Sequence, residues 1–223
     1  MMYANSRQIR SAQTAPHEQL TALVLRHRDH PFRKPVSPWN QAAFDEAMLA
    51  WGGQAPLILD AGCGVGWSSL QLARLYPDHF VLGVDQSEDR LARGKPGSED
   101  WPANLHFVRA DLVDFWRLLA ARQIRLARHY ILYPNPWPKI GHLARRWHGH
   151  AVFPTVLALG GVLESRSNWR LYLEEMAIAL NILSGRDARI VGIDAAMPLT
   201  LFERKYRDSG QPLYQLLFNE AGQ

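Results

Sequence analysis

"LILDAGCGVGWSSLQLARLY" occupies residues 57–76, and its reading sets the fold. A short apolar run ends on Asp60, glycines follow at alternate positions (Gly62, Gly64 and Gly66), and a helical pattern begins at Ser68. An apolar run, a glycine turn and an amphipathic helix together open a βα unit. Glycine in such a turn lets the backbone bend tightly and approach a ligand with no Cβ in the way. Outward from there the alternation continues. "FVLGVD" (80–85), "LHFVRAD" (105–111) and "YILYP" (130–134) are predicted strands, with helices predicted over 68–76, 87–94 and 112–122. Then come "AVFPTVLALGG" (151–161), a strand "VLESRS" (162–167), a long helix over 169–183, a strand "ARIVGI" (188–193) and a last strand "YQLLF" (214–218). Strands alternating with helices imply an α/β fold with a doubly wound, mostly parallel sheet. Such sheets bind ligands beyond the carboxyl ends of their strands, so polar residues just after strands are the candidates for function.

A chain of 223 residues fits one α/β domain with a substantial core. Residues 1–40 are polar, basic and turn-rich, ending in "HPFRKPVSPWN". They are expected to form a flexible arm carrying Arg7, Arg10, Arg26, Arg28, Arg33 and Lys34. The domain proper is then 41–223, opening with the helical "QAAFDEAMLAW" (41–51) and its closing Gly52-Gly53. No fixed-period repeat supports a solenoid. No apolar stretch approaches the roughly 20 residues that cross a bilayer, and the first residues lack the apolar centre of a secretory signal. A single cysteine, Cys63, rules out an internal disulfide and suits a reducing cytoplasm. The net charge is +4, and arginine supplies 21 of the 25 basic residues. Arginine forks match phosphate oxygens two at a time, which favours a nucleic-acid partner; genomic base composition would produce the same bias.

Three acids end successive strands: Asp60, Asp85 and Asp111. The glycine spacing alone also fits a dinucleotide site, or a plain turn among surface acids. However, a carboxylate at Asp60, beside the loop, would repel a pyrophosphate and favour a ligand carrying an ammonium group. Asp85 stands roughly 20 residues on, where an acid can hold ribose hydroxyls, and Asp111 is placed to reach an adenine edge. Cys63 reads as a small space-filler in this loop rather than a nucleophile. Asp-x-Gly-x-Gly-x-Gly followed by two strand-terminal acids resembles class I S-adenosylmethionine-dependent methyltransferases. That resemblance implies a Rossmann-like fold, with a seven-stranded sheet and an antiparallel C-terminal strand. It also implies S-adenosyl-L-methionine as cofactor, held by Asp60, Gly62, Gly64, Asp85, Gln86, Asp111 and Leu112.

The substrate side centres on "YPNPWPK" (133–139), where a strand runs into a proline-stiffened corner. After it come Arg145-Arg146 and, near the end, "LTLFERKYRDSG" (199–210). With "RQIRS" (7–11), these stretches resemble the bacterial tRNA (guanine-N7)-methyltransferases, in motif order and over nearly the whole chain. Members of that family carry a Phe-Pro-Asp-Pro-Trp-like corner, a following lysine, an arginine pair, a Thr-Asp pair and a Thr-x-Phe-Glu element. The resemblance implies tRNA as partner and methyl transfer to guanine N7 in the variable loop. It assigns Asn135 to cofactor binding and catalysis. It assigns Lys139, Asn168, Thr200, Leu201, Phe202 and Glu203 to the nucleotide, with Arg145 and Arg146 on phosphates. Here Asn135 and Ser167-Asn168 replace the family's aspartate and Thr-Asp pair, so two carboxylates have become amides.

Those changes leave the acceptor open. Asn-Pro-aromatic corners also resemble amino-methyltransferases that grip a planar amine, although here Pro138 follows Trp137 instead of preceding it. Another nucleobase, a small amine or a protein side chain is thus an alternative acceptor, and a noncatalytic RNA-binding relative is a third reading. Lys139, Arg145 and Arg146 could equally form an ordinary solvated loop, and Trp137 and Trp147 could stack on bases or pack inward. His142, His148 and His150 lie near no cysteine or acid cluster and methyl transfer needs no metal, so no metal is expected. The oligomeric state, monomer or homodimer, is left open by the sequence.

Overall fold

The computed structural model describes residues 6–93 and 101–219. Seven strands form one sheet in the order β3-β2-β1-β4-β5-β7-β6. They are β1 (Leu57–Ala61), β2 (Phe80–Asp85), β3 (Leu105–Arg109), β4 (Arg128–Leu132), β5 (Val162–Ser167), β6 (Arg189–Gly192) and β7 (Tyr214–Asn219). The chain divides into two compact units, Lys34–Leu132 with Leu159–Val162, and the remainder.

In the first unit β1 pairs in parallel with β2 and β4, and β2 with β3. Every residue of β1 is buried, as expected for a strand covered on both faces. Around these strands lie α2 (Pro38–Trp51), α3 (Trp67–Leu75), α4 (Glu88–Ala92) and α5 (Leu112–Ala121). Proline at the first turn starts α2, where a missing N–H is harmless, and Gly52 at φ 65° ends it by donating to the Met48 carbonyl. The helix expected over 87–94 is shorter: Ser87 caps α4 by accepting from the Arg90 N–H, and Gly94 lies outside the described residues.

The second unit holds α1 (Leu20–Asp29), α6 (Phe153–Ala158), α7 (Arg170–Ser184) and α8 (Leu201–Asp208), with an antiparallel β6–β7 pair. The antiparallel C-terminal strand is as the family resemblance implies. Residues 1–40, read as an arm, contain α1 and the first residues of α2. Leu20 and Val24, four apart on one face, are buried as α1 packs on α7; Leu20, Leu23 and Val24 carry helical spacing, but the stretch is short and set among charged and turn-forming residues, which favoured the arm reading. Residues 1–5 of that stretch lie outside the description.

Candidate functional site

The first unit holds the three acids and the glycine loop: Asp85 ends β2 as expected, whereas Asp60 is the next-to-last residue of β1 and Asp111 stands two residues beyond β3. Asp60 lies in a buried strand and is itself 1% exposed. Its Oδ2 accepts from the hydroxyls of Ser68 and Ser69, both at 2.6 Å, from the first turn of α3. Its Oδ1 is buried and receives no hydrogen bond. Burial raises the Asp60 pKa to about 6; the two serines oppose that rise and the nearby charge of Asp85 adds to it. A buried acceptor without a donor is costly in a finished protein, so this oxygen points to a ligand that donates.

Loop amides decide what kind of ligand fits. The N–H groups of Gly62 and Cys63 both donate to the Val84 carbonyl, and that of Gly66 to the Cys63 carbonyl. The Gly64 N–H donates to Asp85 Oδ2 at 3.0 Å. Four amides that would cradle a phosphate are thus engaged inside the fold. With a carboxylate beside them, the dinucleotide reading loses its anion site, and a ligand with an ammonium group fits instead. Gly62, Gly64 and Gly66 all adopt positive φ. Beyond Gly64 there is open space, whereas a Cβ on Gly66 would stand 2.4 Å from the Phe107 ring. Gly66 therefore serves packing, and Gly64 leaves room.

Asp85 is 4% exposed and held from three sides, by the Gly64 N–H, the Ser87 N–H at 2.8 Å and Arg90 at 3.7 Å. A carboxylate offers about four acceptor positions, so a diol can still be held. Asp111 is exposed and caps α5 through Oδ1, which accepts from the Val113 N–H at 2.8 Å. Its own N–H donates to Asn40 Oδ1 at 3.1 Å, and Asn40 Nδ2 donates to Asp114 at 2.7 Å. Asn40 sat in the expected arm and was not singled out by sequence. Gln86 is exposed, and Leu112 lies over Gly62.

In the second unit the corner has two non-glycine residues at positive φ, Tyr133 (49°) and Trp137 (44°). Asn135 is exposed, with its Oδ1 3.4 Å from the Trp137 N–H. Lys139 and Arg145 are exposed, and the Arg145 guanidinium lies over the Trp137 ring at 4.9 Å. Arg146 departs from expectation. Its side chain is fully buried, bonded to Glu175 at 2.5 Å and to Gln13 at 2.9 Å, and stacked on Trp169. The short 3-10 turn Ile140–Arg145 ends just before it, and of the two adjacent arginines Arg145 is exposed and Arg146 enclosed. A phosphate contact by Arg146 is corrected to a structural ion pair.

Glu203 is corrected in the same way. It is fully buried and accepts from Arg166 (2.9 and 3.1 Å), from the Tyr133 hydroxyl (2.9 Å) and from the Leu199 N–H. Burial, then the Glu203 charge, pushes the Tyr133 hydroxyl pKa upward, so that hydroxyl stays a donor. Thr200 caps α8 by accepting from the Glu203 N–H at 2.9 Å, and Asn168 donates to Gln211 at 2.7 Å. Leu201 is half-buried and Phe202 is 54% exposed. Glu175, read from sequence as part of a core helix, is the residue missed. It bonds Arg146, His148 (3.0 Å), Gln13 (2.6 Å) and the His17 N–H (2.9 Å). The available signal was a glutamate on the apolar face of Leu171, Met176 and Ala179. Among the described residues, no group of three or more His, Cys, Asp or Glu side chains could hold a metal ion, and no helix is long and apolar enough to cross a membrane.

Comparison with known proteins identifies the family. The chain is 29% identical over 184 residues to a tRNA (guanine-N(7)-)-methyltransferase of Stutzerimonas stutzeri (strain A1501), covering 78% of this chain and 76% of that one. It is 29% identical over 187 residues to the enzyme of the same name from Mycobacterium bovis (strain BCG / Pasteur 1173P2), covering 78% and 70%. A solved 16S rRNA methyltransferase, KamB, shares the fold with a TM-score of 0.58 at 17% identity, over 82% of this chain and 94% of that one. The family described as "Putative methyltransferase" matches residues 54–216. That span is well over half of the chain, and the protein belongs to this methyltransferase family.

Proposed function

We propose that the protein is a tRNA (guanine-N7)-methyltransferase that uses S-adenosyl-L-methionine and acts in the cytoplasm. The observation that carries the reading is Asp60 Oδ1, a buried acceptor without a donor beside a glycine loop whose amides are already engaged. An ammonium group satisfies that oxygen, and the ribose and adenine portions fall to Asp85 and Asp111, with Gln86 and Leu112 alongside. The bound cofactor supplies a methyl group activated by its sulfonium.

On the acceptor side, guanine N7 carries a free lone pair, so no residue needs to remove a proton first. Alignment then supplies most of the rate. Positive charge develops on the purine, and the Asn135 amide oxygen is the group assigned to face it. An amide does this less well than a carboxylate, since hydrogen bonds to charged acceptors are about twice as strong. A slow enzyme is expected, faster as Asn135→Asp. Lys139 contacts the nucleotide and Arg145 engages phosphates. Thr200 and Glu203 act indirectly, by fixing the start of α8 so that Leu201 and Phe202 meet the nucleotide.

The test is purified protein, methyl-labelled cofactor and total tRNA, with the labelled nucleoside identified after digestion. Label in 7-methylguanosine is expected; none in tRNA overturns the assignment. Asn135 and Asn168 in place of carboxylates favour one second reading, a methyltransferase with another acceptor. Label in another nucleoside, a protein or a small amine would select it. Salt-sensitive tRNA binding without cofactor binding would instead mark a noncatalytic relative.

A further inference from the structure

The corner at residues 133–139 is held in an unfavourable shape by a segment far away in sequence. Tyr133 and Trp137 both sit in the left-handed region, which residues with a Cβ avoid. Such conformations persist only where surrounding groups over-determine them, and they concentrate at functional sites. Here the surrounding groups take hold of successive backbone carbonyls. Arg146 donates to the Trp137 carbonyl from Nε at 3.3 Å and Nη2 at 3.2 Å. Ser11 Oγ donates to the Pro138 carbonyl at 2.6 Å.

Arg146 is itself aimed by others. Its Nη1 donates to Glu175 Oε2 at 2.5 Å and its Nη2 to Gln13 Oε1 at 2.9 Å. Gln13 Nε2 in turn donates to Glu175 Oε1 at 2.6 Å, closing a ring of three side chains. The His17 N–H and His148 complete the carboxylate's shell. A buried ion pair adds little net stability over apolar residues of the same size. What this one adds is direction: it fixes where the Trp137 carbonyl points, and the segment from Ser11 to His17 closes over it. Ser11 Oγ also accepts from the Gln13 N–H at 3.0 Å, which joins the two contact points within the strap.

We propose that Ser11 and Gln13 are positioning residues for methyl transfer, and that the Ser11–His17 segment is a strap holding the Asn135-Pro136-Trp137 corner in its strained turn. This rests on the reading of Asn135 as the residue that faces the acceptor. Small displacements at a reacting centre reduce rate far more than binding.

The experiment compares wild type, Ser11→Ala and Ser11→Thr in full-length protein. For Ser11→Ala, kcat for tRNA methylation should fall about tenfold, while cofactor Kd, KM for tRNA and Tm stay at wild-type values. Ser11→Thr, which keeps the hydroxyl, should restore most of kcat. Hydrogen exchange read on peptides spanning 133–139 should quicken in Ser11→Ala alone. Unchanged kcat, or a loss traced wholly to cofactor Kd or Tm, overturns the strap. If wild type makes no 7-methylguanosine, the functional reading fails separately. The strap is then judged by exchange alone, and unchanged exchange over 133–139 overturns it.

Discussion

Asp60 and Glu175 are both buried carboxylates, one in each unit, and their surroundings are provisioned in opposite ways. Two serine hydroxyls share one oxygen of Asp60 and nothing serves the other. Burial therefore dominates, and its pKa rises to about 6. Burial pushes Glu175 upward too, but bonds from His148, the His17 N–H and Gln13 overcome it and hold the pKa at about 2. A finished shell marks a carboxylate that organises the protein. An unfinished one, beside a glycine loop, fits the cofactor-binding role proposed for Asp60.

Deleting each charge should break the two units differently. Glu175→Leu leaves the Arg146 guanidinium buried without its partner, and stability should drop by about 3–5 kcal/mol in chemical denaturation. Equal stability would mean that the shell around Glu175 is not structural. Asp60→Asn should leave stability at pH 7 undiminished, since a buried charge is removed. Cofactor affinity should fall about 10- to 150-fold, the range expected for loss of one charged hydrogen bond of about 1.5–3 kcal/mol. Calorimetry measures it, and wild-type affinity in this variant would remove Asp60 from the site.

Acidity sharpens the same contrast. Asp60 has a folded pKa above its ordinary value of 3.8, so its contribution to stability is full below about pH 4 and lost as pH rises through about 6. Cofactor binding runs the other way, because an ammonium group needs the carboxylate ionised. Affinity should weaken by up to about tenfold per pH unit below 6, and Asp60→Asn should flatten that slope. Glu175, with its pKa lowered from 4.5, acts in a separate window. Its contribution is present above about 4.5 and lost as pH falls towards about 2. His129, held neutral to about 3 by burial, also loses stability as pH falls below 6.5. Differences between wild type and Asp60→Asn therefore isolate Asp60 where stability alone does not.

The first unit was the more legible in sequence because its site is local. Strand, glycine loop and helix follow one another, period and punctuation show where each strand stops, and the predicted bounds of β2 match the structure. What stayed hidden depends on contacts across long separations. Asn40 meets Asp111 from 71 positions away, and Gln13 meets Glu175 from 162. No local pattern reveals either. Glu175 was masked by its neighbours: in "LYLEEMAIALNIL" two adjacent glutamates look alike, yet one faces solvent and the other the core. The motif resemblance located Glu203 but gave it the wrong contacts, since a residue conspicuous in a motif need not touch the substrate.

Arg145 and Arg146 offer the smallest effect and a direct comparison of neighbours. Arg145 is exposed and touches the Trp137 face, whereas Arg146 is enclosed. Arg145→Ala removes a solvated cation, so stability should stay within about 0.5 kcal/mol of wild type. If it engages a phosphate, tRNA affinity should fall a few-fold at low salt, and the plot of log affinity against log salt should flatten by about 0.7–0.9. An unchanged slope would deny the phosphate contact and leave Arg145 as a lid on the Trp137 ring. A stability loss as large as that of Glu175→Leu would be worse for the comparison. It would mean that the exposed arginine, too, belongs to the scaffold, leaving Lys139 as the one candidate cation at the corner among the described residues.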